Sequence, residues 1–387
     1  MDTEKKYINE KEALFNRHII YDGCMWCFLS RTDDFVKIDM KSWQMSYVRM
    51  KSKDSKKNLF CSDSGTDGLI CEKDIIYRVD FNAQGIHKYN LNEKKYEYIK
   101  FDFQCKRGEN FAAIFTNKQY IYFFMIGNGV VYKLDTKTEK IYRINKISQL
   151  LECDTLISNG IKSGNRVWLF SSNNSQIIEY DMDSDECYLY NLPVDVKGYI
   201  DVMFYEEVFW ILDNNYRIFT WNHITGNVQV WWKDDKYIGF NYYAKIVVTE
   251  YKVYLLPSLC EDIIIIDKWS RKLSKLDVFP KDFKYLAYDN WSKFLGYSDD
   301  KTVRYYSMRS ANYILKINLR TSQLDWIRPI RPTQIEKYLY HLYMGENKVI
   351  MEQDEFLREY ITLVTKQVKN KRIKDIDEGQ VIYSNLV

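Results

Sequence analysis

Apolar and polar residues alternate along most of this 387-residue chain in short runs that polar turns separate. In the segment 208–232, Phe219 and Trp221 alternate with their neighbours, Asn222 begins a polar turn that ends at Gly226, and the alternation then resumes. A period of two predicts β-strands. An Asn at a strand end can accept a bond from its own backbone two residues on, and Gly tolerates positive φ. The segment therefore predicts a β-hairpin with a short polar loop.

The same pattern recurs seven times along the chain, and we define the Asp or Asn at the strand end as the anchor of each copy. Successive anchors lie 41 to 51 residues apart. An apolar residue directly precedes each anchor, and another follows it by six positions. The residue three positions before the anchor is apolar in six copies and is His87 in the seventh. An aromatic residue stands twelve or thirteen positions before each anchor. The anchors are Asp39, Asn90, Asp135, Asp181, Asn222, Asp267 and Asn318, and the aromatic residues are Trp26, Tyr77, Tyr122, Trp168, Trp210, Tyr254 and Tyr305.

Repeats of about 40 to 50 residues built from strands and turns are typical of β-propellers. One four-stranded unit cannot bury both of its faces, whereas units stacked around an axis bury them and leave only short edges. We therefore predict an all-β fold, a seven-bladed β-propeller over residues 17–330. The alternative, a β-sandwich with regular strands, does not explain a fixed internal repeat.

The hairpins resemble those of kelch repeats, in which an aromatic–Asp strand end precedes a polar turn and a Trp-bearing strand. The matching residues are Glu179-Tyr180-Asp181 and Leu324-Asp325-Trp326. The copy at 221–226 is similar to quinoprotein-type propeller repeats. The chain lacks the paired glycines of kelch repeats and the consistent glycine of quinoproteins. The resemblance implies the propeller fold and no particular site.

The two ends of the chain depart from the repeat. Residues 1–16 are highly charged and form a loose arm or a short helix. In the C-terminal extension, 331–387, apolar residues spaced at 3, 4 and 7 positions predict an amphipathic helix over 352–369, and 380–383 is a possible last strand. No apolar stretch suggests a signal peptide or a membrane span, so we expect a cytoplasmic protein with reduced cysteines.

The candidate chemistry of the chain is sparse. Fifty-six basic residues balance 53 acidic ones to a net charge of +3, which argues against nucleic-acid binding. Cys24 and Cys27 have a redox or zinc spacing but fall in one predicted strand, where positions three apart face opposite sides. The four histidines form no constellation; we expect His87 to be hydrogen-bonded and half-buried and His223 to be exposed in a turn. We predict no catalytic residue, metal or cofactor.

The loops between the second and third strands of the blades converge on one side of a propeller, which we call the loop face. They are rich in amide, hydroxyl and charged side chains, which suit recognition by residues held on a rigid scaffold. The predicted ligand-binding residues are Arg31, Asp34, Asn128, Asn174, Asn215, Tyr216 and Arg309.

Two functions remain open from the sequence. The first is a non-catalytic binding or scaffold protein that holds a protein partner or a glycan-like ligand with its propeller loops. The second is a glycan-active hydrolase or lyase, which would gather acidic residues at the mouth of the channel. Since the fold by itself argues for neither, the balance rests on the lack of any catalytic motif, which favours binding. The oligomeric state is not predicted.

Overall fold

A computed structural model of the chain describes most of the repeat region, and these described residues belong to one compact unit, Ala13–Ile330. The predicted C-terminal helix and strand lie outside the described residues, as does most of the N-terminal arm. The structure describes residues 15–29, 35–48, 68–79, 85–101, 111–125, 129–151, 155–192, 194–215, 217–233, 243–258, 262–277, 279–283, 294–308 and 313–330.

The described strands fall into seven groups of four, which we number as blades 1 to 7 in chain order. Blade 1 contains β1 (Phe15–Tyr21), β2 (Cys24–Leu29), β3 (Phe35–Asp39) and β4 (Met45–Val48). Blade 2 contains β5 (Gly68–Glu72), β6 (Ile75–Val79), β7 (Gly85–Asn90) and β8 (Lys95–Lys100). Blade 3 contains β9 (Phe111–Asn117), β10 (Tyr120–Met125), β11 (Val131–Asp135) and β12 (Ile141–Ile144), and a 3-10 turn, Ile147–Gln149, follows it. Blade 4 contains β13 (Ile157–Ser163), β14 (Arg166–Ser171), β15 (Gln176–Asp181) and β16 (Cys187–Asn191).

The other three blades follow the same plan. Blade 5 contains β17 (Tyr199–Tyr205), β18 (Val208–Asp213), β19 (Arg217–Trp221) and β20 (Val228–Lys233). Blade 6 contains β21 (Tyr243–Val248), β22 (Lys252–Pro257), β23 (Ile264–Asp267) and β24 (Leu273–Lys275). Blade 7 contains β25 (Phe294–Asp300), β26 (Val303–Met308), β27 (Ile314–Asn318) and β28 (Leu324–Ile327).

Each blade is a separate antiparallel sheet whose strands lie in chain order. The first strand of a blade packs beside the first strand of the next, so that β1, β5, β9, β13, β17 and β21 form a continuous inner row, and β1 also lies beside β25. This arrangement confirms the predicted seven-bladed β-propeller. It excludes the sandwich, because a sandwich has two facing sheets rather than seven small ones.

All seven anchors form the same turn between the third and fourth strands. In each, the side-chain oxygen of the anchor accepts the backbone N–H groups two and three residues later; Asp181, for example, accepts from Asp183 N at 2.8 Å and Ser184 N at 3.1 Å. The residue four positions after each anchor has a positive φ, and it is Gly226 in only one blade. The predicted Asx turn is therefore confirmed, and it is the local unit that the repeat encodes.

The recurring aromatic residue joins neighbouring blades. It is at most 8% exposed in all seven copies. In every blade it pairs across the second and third strands with the residue two positions before the anchor, as Trp26 pairs with Lys37. In five described interfaces it contacts the anchor turn of the next blade. Two of these contacts are hydrogen bonds, from Tyr122 Oη to Met182 O (2.5 Å) and from Tyr254 Oη to Ser322 O (2.6 Å). The other three are side-chain packing contacts, of Trp168 with His223, Trp210 with Lys268 and Tyr305 with Trp43.

The ring closes without sharing a strand between its ends, because blades 1 and 7 each supply four strands of their own. On the inner row, Ser298 Oγ donates to His18 O at 2.7 Å. On the outside, Ile330 N donates to Trp43 O (2.7 Å) and Met45 N donates to Ile330 O (2.8 Å). A short parallel bridge thus ties the end of blade 7 to the anchor turn of blade 1.

Candidate functional site

The predicted loop-face site is only partly covered by the described residues. Arg31, Asp34, Asn128, Tyr216 and Arg309 lie outside them, so their placement stays a prediction. Asn174 and Asn215 are described and belong to the second-to-third-strand loops of the neighbouring blades 4 and 5.

Both polar atoms of the Asn174 side chain bond within the protein. Its Nδ2 donates to Thr155 Oγ1 at 2.9 Å, and its Oδ1 accepts the backbone N–H of Gln176 at 3.0 Å. Thr155 and Gln176 are both buried, at 1% and 2% exposure, and bond to each other at 2.6 Å. Asn174 therefore shapes the loop. Asn215, by contrast, is exposed, and its backbone N–H donates to Asp213 Oδ1 at 3.0 Å.

An ion pair that the sequence analysis did not single out braces this part of the loop face. The fully buried Asp213 carboxylate accepts Arg217 Nε at 2.8 Å and the backbone N–H of Arg217 at 2.7 Å. Arg217 also donates to Asp195 O, in the connection between blades 4 and 5. Burial raises the pKa of Asp213 from its ordinary value, against the opposing hydrogen bonds from Arg217. The pair holds two loops together, and the Asp213 carboxylate is already hydrogen-bonded to Arg217.

Gly198 brings the same two loops into close contact. Its φ is +149°, and a Cβ there would lie 1.9 Å from Ser172 O and 2.7 Å from Asn214 Nδ2. Asn214 Nδ2 in turn donates to Ser172 O at 2.9 Å. The described part of the loop face is thus a tightly bonded surface in which polar side chains mostly satisfy backbone groups.

A groove lies on the opposite side of the propeller, where the anchor turns are. It separates blades 1 and 2 and has a volume of about 790 Å³. Turns fix both walls: Met40 N donates to Gly23 O at 3.0 Å in blade 1, and Leu91 N donates to Asp74 O at 2.8 Å in blade 2. The lining includes Tyr21, Trp26, Lys37, Tyr89, Lys94 and Tyr96.

The floor of the groove is aromatic and its charge is mainly positive. Lys37 Nζ lies 5.4 Å from the centre of the Trp26 ring, within the range of a cation–π contact. Trp26 is only 8% exposed, because Lys37 and the neighbouring strands cover most of it. Among the described residues of the lining, three are lysines and one, Asp22, is acidic. Such a surface can hold an extended ligand that carries negative charge.

The three histidines that the structure describes are structural rather than grouped. His87 is hydrogen-bonded as predicted, with Nδ1 2.6 Å from Tyr96 Oη, although it is more deeply buried than expected, at 4% exposure. The expectation that His223 is exposed is wrong: its ring packs on Trp168, 4.9 Å away, and on Phe209, 5.5 Å away. The reason is that the anchor turn of blade 5, like those of four other blades, packs onto the recurring aromatic of the preceding blade.

The remaining chemistry of the described residues is modest. Cys24 and Cys27 are free thiols buried in β2, and burial raises the pKa of Cys27. In the described part of the chain, no group of three or more His, Cys, Asp or Glu is placed to hold a metal ion. No helix within the described ranges is long and apolar enough to cross a membrane.

Comparisons with known proteins find similarity in structure alone. No protein-family model matches the sequence, and no curated protein matches it significantly. The extracellular domain of a putative hybrid two-component system, BT3049, from B. thetaiotaomicron is similar over 79% of this chain and 40% of its own, with 11% identity and a TM-score of 0.53. BamB from Moraxella catarrhalis is also similar, over 77% of this chain and 80% of its own, with 9% identity and a TM-score of 0.49. The computationally designed Ika8 protein is similar over 81% of this chain and 86% of its own, with 10% identity and a TM-score of 0.49. At these identities the likeness extends to the fold alone, and the kelch-type resemblance stays a prediction. The seven four-stranded sheets of the chain itself make it a seven-bladed β-propeller.

Proposed function

We propose that this protein is a non-catalytic binding protein that holds a segment of a protein partner in the groove between blades 1 and 2. The observation that carries the proposal is the groove itself. Its volume of about 790 Å³ lies within the range of ligand sites, and both of its walls are hydrogen-bonded turns on sheet edges. A rigid wall lowers the entropy that binding must offset.

The aromatic floor favours a peptide over a sugar. Sugar rings stack on open aromatic faces, and the Trp26 ring is 8% exposed with Lys37 over it. The half-buried Tyr21 and Tyr96 of the lining offer apolar contact to an extended chain, and the Tyr96 hydroxyl is already hydrogen-bonded to His87. The loop-face residues remain a separate prediction, because most of them lie outside the described residues.

Selection of peptides from a random display library tests this proposal. The full chain serves as bait beside two variants, Asn92→Trp, which places a large ring at the groove, and Asn227→Trp, an equally exposed position in the anchor turn of blade 5. We expect the selected peptides to bind wild type and Asn227→Trp alike and to lose binding to Asn92→Trp. Peptides that bind all three proteins equally, or a library that yields no binders, would refute the groove as the site. Parallel probing of a glycan array tests the alternative ligand.

A further inference from the structure

The two blade interfaces that follow the groove along the chain, between blades 2 and 3 and between blades 3 and 4, contain a recurring three-residue cluster. In blades 1, 2 and 3 the residue two positions before the anchor is a lysine that pairs across the strands with the recurring aromatic. In blade 3, Lys133 Nζ lies 5.1 Å from the ring centre of Tyr122, as Lys37 Nζ lies 5.4 Å from that of Trp26. The lysine and the aromatic are therefore equivalent in blades 1 and 3.

The third member is an acid from the next blade. Lys88 of blade 2 binds Glu139 of blade 3 at 2.6 Å, and Lys133 of blade 3 binds Asp185 of blade 4 at 2.9 Å. Both acids stand four positions after their anchor, with φ of 57° and 58°. Burial alone would lower the pKa of Lys133, but its hydrogen bonds with Asp185 and Tyr122 raise it overall. These carboxylates close the interfaces between blades 2 and 3 and between blades 3 and 4.

At the groove the acid is replaced by a lysine. The residue four positions after the anchor of blade 2 is Lys94, with φ of 52°, so Lys37 and Lys94 both line the groove where the next two interfaces hold an ion pair. Neither lysine has an ion-pair partner among the described residues. The third lysine of the lining, Lys95, is already paired with Glu97 at 2.6 Å. Two like charges thus take the place of a lysine and a carboxylate.

We infer that a carboxylate side chain from an acidic segment of the partner binds between Lys37 and Lys94 and takes the place that Glu139 and Asp185 fill in the next two interfaces. The inference rests on the proposed function and adds the chemistry of the ligand. A carboxylate is favoured over a phosphate because carboxylates occupy the equivalent position twice in this chain. The volume of the groove, about 790 Å³, and its tyrosines suit a chain of several residues around that acid.

Fluorescence anisotropy with two labelled peptides tests the inference. One peptide carries a central run of glutamates and the other carries glutamines in their place. We expect wild type to bind the glutamate peptide about tenfold or more tightly than the glutamine peptide, with an affinity that falls as salt is raised. In a third arm, the binding of inorganic phosphate to the wild-type protein is measured directly by calorimetry.

The decisive variant is Lys94→Glu, which introduces the acid that the next two interfaces have. Glutamate fits the backbone there, because Glu139 at the equivalent position of blade 3 has nearly the same φ. We expect it to lose at least about tenfold in affinity for the glutamate peptide and to melt at or above the wild-type temperature. Lys272→Glu, the same charge change in the anchor turn of blade 6, is the control and should bind as wild type does. Circular dichroism verifies that both variants are folded.

The outcomes separate this inference from the proposed function. Equal binding of the two peptides, abolished by Asn92→Trp, overturns the carboxylate site and leaves the groove as a binding site. Binding of the glutamate peptide that Lys94→Glu and Lys272→Glu weaken alike also overturns it, since only general charge is then involved. Phosphate that binds to the groove while the glutamate peptide does not identifies a phosphate site instead. Failure of both peptides together with an unproductive library refutes both proposals.

Discussion

Lowering the pH should reduce the free energy of unfolding of this propeller, because one buried histidine lies where blades 1 and 7 close the ring. His18 lies in β1 beside blade 7, is 3% exposed, and has no hydrogen-bond partner for either ring nitrogen among the described residues. Burial lowers the pKa of His18 to about 4, against an opposing backbone contact with Tyr305. The unfolded chain binds a proton near pH 6.5, whereas the folded chain resists it down to about pH 4.

The sign and size of the effect follow from this difference. Because the unfolded state binds more protons between pH 6.5 and pH 4, the free energy of unfolding falls as pH falls through that window. The full difference corresponds to about 3 kcal/mol, of which about 2 kcal/mol is lost between pH 7 and pH 5. That is a large share of the typical stability of a domain, about 5 to 15 kcal/mol.

Urea denaturation followed by tryptophan fluorescence at pH 7, 6 and 5 measures the effect, with His18→Leu as the matched variant. Leucine fills a similar volume and removes the unpaired ring nitrogens, so we expect it to be at least as stable as wild type at pH 7. The variant should lose about 2 kcal/mol less than wild type on going to pH 5. An equal loss in the two proteins would mean that other groups titrate in this window and that His18 does not control it.

Three further predictions concern the repeat. Asp181→Ala removes two turn bonds, and chemical denaturation should show a loss of about 1 kcal/mol in the free energy of unfolding with unchanged peptide affinity. Asp181→Asn should leave stability nearly unchanged. Lost binding with unchanged stability would contradict a structural role for the anchor. Glu207→Gly should stabilise by about 0.5–1 kcal/mol, because φ of 60° strains a side chain; a lower melting temperature would show that the turn is unstrained. Trp168→Ala should cost about 3–5 kcal/mol, since four aromatic rings surround this 1%-exposed residue; a loss under about 1 kcal/mol would contradict its role in joining blades 4 and 5.

The blade and its turns could be predicted from sequence because they are local. The turn is formed when the anchor side chain accepts the backbone N–H groups two and three positions later, and the strands of a hairpin follow each other directly. Asp181 and Asn222 therefore carry their structural role in the sequence around them. The recurring aromatic could also be aligned, but the sequence did not show that it contacts the next blade as well as its own.

Contacts between blades were decided only by the tertiary structure, because they join residues that are far apart in the chain. His223 is covered by Trp168, 55 positions earlier, so its turn-like sequence wrongly suggested exposure. Asn174 donates to Thr155 from another segment, a contact that its own loop sequence does not predict, and its ligand-binding role stays a prediction. The groove is lined by both Lys37 of blade 1 and Lys94 of blade 2, and no local pattern contains both. Sequence periodicity specifies the repeating unit, whereas packing between units determines which surfaces remain open.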